Sequence, residues 1–380
     1  MKIATFVTSL YSQGAEYVTA SVARGLHDAG HDVEVVVTAI HGDLANNKEG
    51  KKAFALKPGM QLVQLPTRRA RSSIWLLREY IKRSKPDVFL CNASPYLIPM
   101  VIANRSLPKK YRTKVVNVVH GSEYGLLKGK ADYLKRCGQI KGRIVAFLEK
   151  CADAVFSVSE GTRKAVCRIL GFPEERSFTV YNPVVDDVTV EKLSRKPKRP
   201  WLVTKTCPVL VSAGALTGWK NFGLLIDAFA QVEKMRPCKL IIFGEGPKRT
   251  ELEEKIVKLS LQDKVSLPGY TNQLPAEIKA SDGFVVSSDV ESFSVVLVEA
   301  MAAGVPIVST AAPYGPPEIL EGGRYGRLVP CGDANSMAMA MKDVLDKKVP
   351  APPKERVDDF RIENIVKRYV VSIEKILQMK

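Results

Sequence analysis

The chain has 380 residues, 46% of them hydrophobic, and a formal net charge of +17 at neutral pH. Its length exceeds one compact core and indicates two domains, and no apolar run is long enough to span a bilayer. Residues 1–185 hold 29 Lys and Arg against 15 Asp and Glu, so most of the positive charge lies in the first half. This asymmetry indicates an anionic partner for that half: a membrane surface, an acidic glycan or a nucleic acid. A merely soluble basic domain is the plainer alternative.

The cysteines indicate a reducing compartment. There are seven, scattered along the chain and never in C-x-x-C spacing. We therefore expect reduced thiols in a cytoplasmic protein, with neither a disulfide framework nor a zinc site. The first segment, MKIATFVTSLYSQG, resembles a strand more than a signal peptide.

In the first half, apolar strands alternate with helices, the pattern of a parallel sheet. Gly14 begins a predicted helix over residues 15–29, where a backbone without a side chain can approach a phosphate or a sugar. His120 directly follows a predicted strand, at the sheet edge where such folds bind ligands. A structural hydrogen-bonding role for His120 is about as common. The predicted strands are residues 3–10, 33–40, 87–91, 114–119, 154–158 and 180–185.

Residues 186–208 are rich in Pro and charge and are predicted to be a linker, after which the alternation restarts. Lys220 lies in the first loop of the second half, where it could hold a phosphate or be a solvated lysine. Gly244 and Gly246 in the next loop allow close backbone approach, or form a plain turn. Residues 364–379 are predicted to form a long amphipathic helix.

The most informative stretch is residues 287–320. An apolar helix after Ser294 carries one charge, Glu299, and the loop before it carries Glu291. Ser294 is expected to cap this helix, so that an anion could rest on its N-terminus with a carboxylate on each side. Gly304 and Pro306 are expected to end the helix.

With Lys220 added, this constellation fits a diphosphate that carries sugar and ribose hydroxyls: a cation and amides for the phosphates, carboxylates for the hydroxyls. The plainer alternative is a salt-bridged core residue at Glu299 and a solvated loop charge at Glu291.

The whole chain resembles the retaining glycosyltransferases of family four, which have the GT-B fold. The strongest element is the Glu-x7-Glu pair, Glu291 and Glu299, within ESFSVVLVEAMAAGVPIVST. In family order the chain also has SQGAE…GLHDAGHDVEVV, VVHGSEY, VSEGTRKAV, VYNPVV, GALTGWKNFGLLIDAF, FGEGPKRTEL and LPGYT.

The resemblance implies an α/β protein with two doubly wound Rossmann-like domains facing across a cleft. Residues 1–185, completed by a C-terminal helix at 364–380, would bind the acceptor. Residues 209–363, after the linker at 186–208, would bind the nucleotide sugar.

The resemblance also implies residue roles. Glu299 would hold the ribose hydroxyls, and Glu291 the hydroxyls of the transferred sugar. Lys220 would neutralise the diphosphate, and His120 would orient the sugar or the acceptor. The catalytic set is thus His120, Lys220 and Glu291. The other donor-binding positions are Gly14, Gly244, Gly246, Tyr270 (beside the base), Phe293, Ser294, Val295 and Glu299. No metal or other cofactor is implied, because Lys220 and helix dipoles carry the charge.

The chain departs from the family pattern around the phosphates. Ala215 stands where the family often has an Arg that accompanies the Lys, a role that Lys248 or Arg249 could take over. Gln13 replaces the first Gly of a pair, and Ser292 and Ser294 replace the Gly residues that flank Phe293. These departures bear on phosphate affinity.

The basic first half then suggests a surface that lies on an anionic leaflet, where cations stand beside apolar residues. The Lys and Arg residues lie within 68–71, 105–114 and 128–150, and the apolar neighbours are Trp75, Leu76, Leu77, Tyr111, Tyr124 and Leu127. The acceptor would be lipid-linked, and the protein peripheral at the inner face of the plasma membrane. A soluble acidic acceptor also fits the charge, whereas no nucleic-acid-binding module accompanies it.

We therefore predict a metal-independent, retaining transfer of a hexose or N-acetylhexosamine from a nucleotide sugar, with a UDP-sugar as the expected donor, to a lipid-linked or cell-surface glycan. A sugar-nucleotide epimerase is one rival, without an apparent second acidic cluster. The other is a non-catalytic, membrane-associated partner that binds a sugar nucleotide or glycan. Ala215 and Gln13 favour it, and it is opposed by the intact Glu291, Glu299, Lys220 and His120.

Overall fold

The computed structural model describes residues 1–7, 14–38, 56–67, 72–92, 94–121 and 139–379. They form two compact units, Met1–Pro183 with Ile362–Lys380, and Val184–Arg361. Each unit is a parallel sheet with helices packed on it, the α/β architecture that the alternating pattern predicted.

The first unit has seven parallel strands in the order β3-β2-β1-β4-β5-β6-β7. The chain order reverses between β1 and β4, the switch point at which doubly wound folds leave a crevice for ligands. The strands are β1 (Lys2–Val7), β2 (Asp32–Thr38), β3 (Gln61–Leu65), β4 (Val88–Cys91), β5 (Lys114–Val119), β6 (Ala154–Ser157) and β7 (Ser177–Thr179). The described helices are α1 (Ala15–Asp28), α2 (Ser73–Ser84), α3 (Ser94–Arg105), α4 (Gln139–Lys150), α5 (Glu160–Leu170) and, at the end of the chain, α15 (Ile362–Gln378).

Helices α1 and α15 pack together on the core of the first unit. Apolar residues of α15 recur at helical spacing and are buried there, among them Ile365, Tyr369 and Ile373. A Cβ atom on Gly25 of α1 would lie 2.5 Å from the Cγ2 atom of Val366, so this close helix contact requires glycine. Helices α2, α3 and α4 form a second layer, in which α3 packs against both of the others.

The second unit has six parallel strands in the order β10-β9-β8-β11-β12-β13, so its switch point lies between β8 and β11. The strands are β8 (Val209–Ala213), β9 (Lys239–Phe243), β10 (Val265–Gly269), β11 (Gly283–Val286), β12 (Ile307–Thr310) and β13 (Arg327–Val329). The helices are α6 (Asp187–Ser194), α7 (Pro200–Val203), α8 (Phe222–Met235), α9 (Arg249–Lys258), α10 (Leu274–Lys279), α11 (Val295–Ala303), α12 (Gly315–Ile319), α13 (Ala334–Leu345) and α14 (Lys354–Asp358).

The segment 186–208, expected to be a linker, instead contains α6 and α7 and belongs to the second unit. Its docking depends on Glu277 of α10, which is fully buried and accepts hydrogen bonds from the backbone N–H groups of Lys198 (3.1 Å) and Arg199 (3.5 Å). The strand expected at 180–185 is also absent: β7 ends at Thr179, and the N–H groups of Val184 and Val185 donate to the carbonyl of Phe360.

Candidate functional site

The second unit joins two loops at its switch point through an ion pair. Lys220 follows β8, Glu291 follows β11, and Lys220 Nζ lies 2.5 Å from Glu291 Oε1. Both side chains are largely buried, with 20% and 10% of their surface exposed. The carboxyl ends of parallel strands meet at this edge, which explains why residues 71 positions apart come into contact.

Neighbouring polar groups brace these two loops. The Ser288 hydroxyl donates to the same Glu291 oxygen (2.9 Å), and the Ser287 hydroxyl donates to the Lys220 carbonyl (2.8 Å). The Asn221 amide donates to the Asp289 carboxylate (3.0 Å), which fixes the start of α8 against the loop after β11. Asn221 and Asp289 carry no separate signal in the sequence, because they become partners only once β8 and β11 are adjacent.

Helix α11 begins beside this pair. Phe293 is buried and packs edge-on against Phe360, with ring centroids 5.8 Å apart. Ser294 precedes the helix with φ +83°, in the left-handed region, and its side chain forms no capping bond, so the expected hydroxyl cap was wrong. The buried Ser294 Oγ has no partner among the described residues, and Val295 opens the helix half-buried. Gly304 ends the helix in a left-handed conformation, as predicted.

Glu299 lies on the second turn of α11 and is partly exposed. Burial raises the pKa of its carboxyl to about 7, with nearby Lys192 lowering it and Asp186 raising it further. Within the described ranges, no residue forms a hydrogen bond or ion pair with this carboxylate. Glu299 is therefore a carboxylate held in a poorly solvated place without a protein partner.

The glycine loop after β9 packs tightly on the loop after β8. A Cβ atom on Gly244 (φ +138°) would lie 1.9 Å from the Gly214 carbonyl oxygen, and one on Gly246 would lie 2.5 Å from the Leu216 carbonyl oxygen. Both glycines are thus required by the contact between loops. Tyr270, directly after β10, has 58% of its surface exposed.

The candidate substitutes for the missing Arg are already paired. Arg249 donates to Glu245 (2.8 Å), to Glu253 (2.8 Å) and to a backbone carbonyl, and Lys248 pairs with Glu251. In this structure neither cation is paired with Lys220, and the suggestion that one of them takes the place of the missing Arg stays a prediction.

In the first unit, polar residues gather at the ends of β4 and β5. His120 Nε2 lies 3.0 Å from Asn92 Oδ1, and the Asn92 amide donates to Thr5 Oγ1 (2.9 Å). Burial lowers the pKa of His120 to about 4, an effect that Glu16 on α1 and Asn182 after β7 offset in part. The imidazole is therefore neutral at physiological pH. Asn92 and Asn182 were not singled out in the sequence.

Gly14 lies at the start of α1 with φ +84°, exposed and with open space where a side chain would be. Gln13 lies outside the described residues. The structure thus groups Gly14 and His120 in the first unit, and Lys220, Glu291 and the start of α11 in the second.

Among the described residues, no three His, Cys, Asp or Glu side chains are grouped as a metal site would need. Nor does any helix in those ranges combine the length and apolarity of a membrane span.

Two family models match the chain and between them cover most of it. The model described as Glycosyltransferase Family 4 matches residues 12–188, and that described as Glycosyl transferases group 1 matches residues 195–360. The two matches correspond closely to the two halves of the chain.

Among curated relatives, an N-acetyl-alpha-D-glucosaminyl L-malate synthase of Bacillus anthracis is 25% identical over 300 residues, 77% of this chain and 76% of that protein. An N-acetylgalactosamine-N,N'-diacetylbacillosaminyl-diphospho-undecaprenol 4-alpha-N-acetylgalactosaminyltransferase of Campylobacter jejuni is 28% identical over 207 residues, 53% of each chain. Among solved structures, Anabaena HepE in complex with UDP superposes with a TM-score of 0.75 at 20% identity, covering 98% of this chain and all of that one. This likeness shows a shared fold.

Proposed function

Because the chain belongs to the family-four glycosyltransferases with the GT-B fold, we propose that it moves a hexose or N-acetylhexosamine from a UDP-sugar to a hydroxyl of a lipid-linked or cell-surface glycan, with retention of configuration. The observation that carries the proposal is the Lys220–Glu291 pair at the switch point of the second unit. It places a cation and a carboxylate side by side where a nucleotide sugar needs one for phosphate and one for hydroxyls.

In this proposal the donor replaces contacts that the protein now makes with itself. Lys220 turns from Glu291 to the diphosphate, whose remaining charge faces the first-turn N–H groups of α11. Glu291 then accepts hydrogen bonds from the transferred sugar. Glu299, which has no described protein partner, accepts those of the ribose, and Tyr270 offers an exposed ring to the base.

The proposed transfer uses no metal. Departure of UDP leaves charge on the β-phosphate, and Lys220 and the helix amides stabilise that charge as it develops. Retention would follow from attack on the face that the phosphate leaves, with the departing phosphate oxygen taking the acceptor's proton. In the relatives, UDP-bound HepE and the Campylobacter enzyme, whose name specifies a diphospho-undecaprenol acceptor, support this choice of donor and acceptor.

The lipid side of the proposal rests on the outer surface of α2, α3 and α4, here called the apolar-basic face. It exposes Trp75 and Phe147, each with 66% of its surface accessible, together with Ile102 and Ile144. The same helices carry exposed cations, including Arg105 on α3 and Arg143 on α4. Exposed aromatic rings can enter a lipid leaflet, and neighbouring cations can contact its anionic headgroups. A surface with both is typical of proteins that bind at a membrane interface.

Part of the predicted membrane set lies elsewhere. Leu77 is buried in the core, and Tyr111 is half-buried against it. Residues 68–71, Tyr124 and Leu127 lie outside the described residues.

The proposed function is tested by transfer from UDP-, GDP-, ADP- and TDP-sugars to a membrane extract in the presence of a chelator. We expect transfer from a UDP-sugar, retained configuration in the product, and no effect of chelation. Failure of every nucleotide sugar, with the protein folded, would reject the proposal. Loss of transfer on chelation would reject only the metal-free mechanism.

The apolar-basic face has its own test, co-sedimentation with phosphatidylglycerol vesicles and with phosphatidylcholine vesicles. Binding should favour the anionic lipid and fall about tenfold in Trp75→Ser/Phe147→Ser. Met235→Ser/Val257→Ser removes two comparably exposed apolar side chains from the second unit and should bind as the wild type does. Equal loss in both variants would show that the face is not the docking surface.

A further inference from the structure

The orientation of the Asn92 side chain is fixed by its neighbours. Its Nδ2 atom donates to the carbonyl oxygens of Phe6 and Leu90, each at 3.3 Å. Carbonyl oxygens only accept hydrogen bonds, so the NH2 group of Asn92 must face them. The Oδ1 atom therefore points the other way, toward His120 Nε2 at 3.0 Å.

This orientation decides which nitrogen of His120 carries the hydrogen. Asn92 Oδ1 can only accept, so His120 Nε2 must donate. A neutral imidazole has a single N–H group, and its Nδ1 atom is then a bare acceptor. Nδ1 is buried and has no partner among the described residues, and neither has the nearby Asn182 Oδ1.

Two acceptors cannot satisfy each other, so in this orientation of the Asn182 amide neither atom has a donor among the described residues. Water or a hydroxyl group can supply one. Sugars present many hydroxyls, and the site lies at the carboxyl edge of the first sheet, where doubly wound folds bind ligands.

We propose that Asn92 is a positioning residue that locks His120 in the Nε2–H tautomer, so that Nδ1 accepts a hydrogen bond from a hydroxyl of the transferred sugar or the acceptor. This inference rests on the proposed sugar transfer. It assigns His120 the part of a neutral acceptor rather than of an acid or a cation. The charged and polar groups around the ring agree, because Glu16 and Asn182 only partly offset the burial that keeps the ring neutral.

The first experiment is long-range 1H–15N correlation spectroscopy of the imidazoles in the wild-type protein. The chain has four histidines, and His120→Gln identifies the signal of interest. We expect the Nε2–H tautomer, and a change at Nδ1 when the UDP-sugar is added. An Nδ1–H tautomer in the wild type would overturn the inference, whether or not transfer is observed.

The second experiment replaces the neutral acceptor by a charged one, Asn92→Asp. A carboxylate favours the imidazolium, which has no lone pair left at Nδ1. The ratio of variant to wild-type kcat should then fall about tenfold as the pH drops from about 8 to about 6. The ratio cancels any titration of Glu299 that both proteins share.

Asn104→Asp is the matched control. Asn104 is also a buried, doubly bonded amide of the first unit, joined to the backbone of Thr113 at 2.9 Å and 3.0 Å. It should cost stability without a pH-dependent ratio. A flat ratio for Asn92→Asp, with His120 still neutral in its spectrum, would reduce Asn92 to a structural role and overturn the proposal. Absence of transfer in the wild type would instead count against the proposed function, and the spectra would still decide the tautomer.

Discussion

The two units share the strand order 3-2-1-4-5-6, to which the first adds β7, yet they have different chemistry at the carboxyl edge of the sheet. In the first unit, the residues after β4 and β5 form a neutral pair, Asn92 and His120. In the second, the residues after β8 and β11 form an ion pair, Lys220 and Glu291. The fold therefore determines where polar groups gather, and the side chains determine which ligand atoms they suit.

This difference matches the two halves of the proposed reaction. A diphosphate needs a cation and oriented amides, whereas sugar hydroxyls are well served by neutral acceptors that do not compete for the phosphate. The charged edge should thus depend strongly on single substitutions, and the neutral edge on the tautomer and on pH. Four substitutions in the second unit sharpen the contrast.

The largest effect is expected from Lys220→Met. Removing the cation leaves the developing phosphate charge without its main partner, and kcat/KM should fall by about 10² to 10³. Lys264→Met is the control, because Lys264 forms a comparable ion pair with Glu233 at 2.6 Å. Steady-state kinetics with the UDP-sugar give kcat/KM for both variants. A similar loss in the control would mean that any broken ion pair has this effect.

Glu291→Gln should separate binding from transfer. Lys220 loses its protein partner and becomes free for phosphate, so the affinity for UDP should rise by about tenfold. Transfer should fall by about a hundredfold, because Glu291 is proposed to orient the sugar. Calorimetry measures the affinity for UDP, and kinetics with the UDP-sugar measure the rate of transfer. Weaker UDP binding would show that Glu291 does not compete for Lys220, and Glu233→Gln should change neither quantity.

Glu299→Gln tests the buried carboxylate. Burial raises its pKa from the ordinary value to about 7, so the folded protein favours the neutral acid and loses stability as the pH rises toward 7. The variant should melt above the wild type at about pH 8 and match it at about pH 4.5. It should also bind UDP about tenfold more weakly, because an amide accepts the ribose hydroxyls less well. A Tm difference that does not vary with pH would contradict the assignment.

The smallest effect is expected from Ser294→Gly. Ser294 has φ +83°, a conformation that costs an L-residue roughly 1–2 kcal/mol, and its hydroxyl has no described partner. Glycine removes that strain but gains freedom in the unfolded chain, so a net gain of about 0.5 kcal/mol is expected in urea unfolding. Ser292→Gly is the comparison, because Ser292 does not have a positive φ. Destabilisation by Ser294→Gly would show that the strain is offset elsewhere.

The sequence predicted those parts of the site that depend on local pattern. Glu291, Glu299 and the Gly304 helix end stand in one short stretch, and Lys220 precedes a helix in a recognisable loop. Asn92 was missed because its role depends on Phe6 and His120, 86 and 28 positions away, and no local pattern distinguishes it from a loop asparagine. The structure brings Lys220 and Glu291 together, while the residue roles themselves stay predictions.

The prediction of a linker at residues 186–208 was wrong for a related reason. Its Pro and Lys content is typical of a linker, but Asp186 caps α6 and Glu277 holds the following backbone, contacts that composition does not encode. The sequence also did not reveal that Arg249 pairs with Glu245 and Glu253, which stand four positions before and after it. Charge counts alone do not reveal such pairing.

The packing of α15 on α1 has a consequence for how the protein is made. The second unit is continuous in sequence, whereas the core of the first needs side chains that the ribosome adds almost 180 residues after Pro183. During synthesis one apolar side of the earlier sheet therefore lacks part of its cover until α15 is made, while the later unit completes its own core. The half that is translated first is therefore the half whose core is completed last. A chain interrupted before Ile362 would expose that side of the sheet to chaperones and proteases.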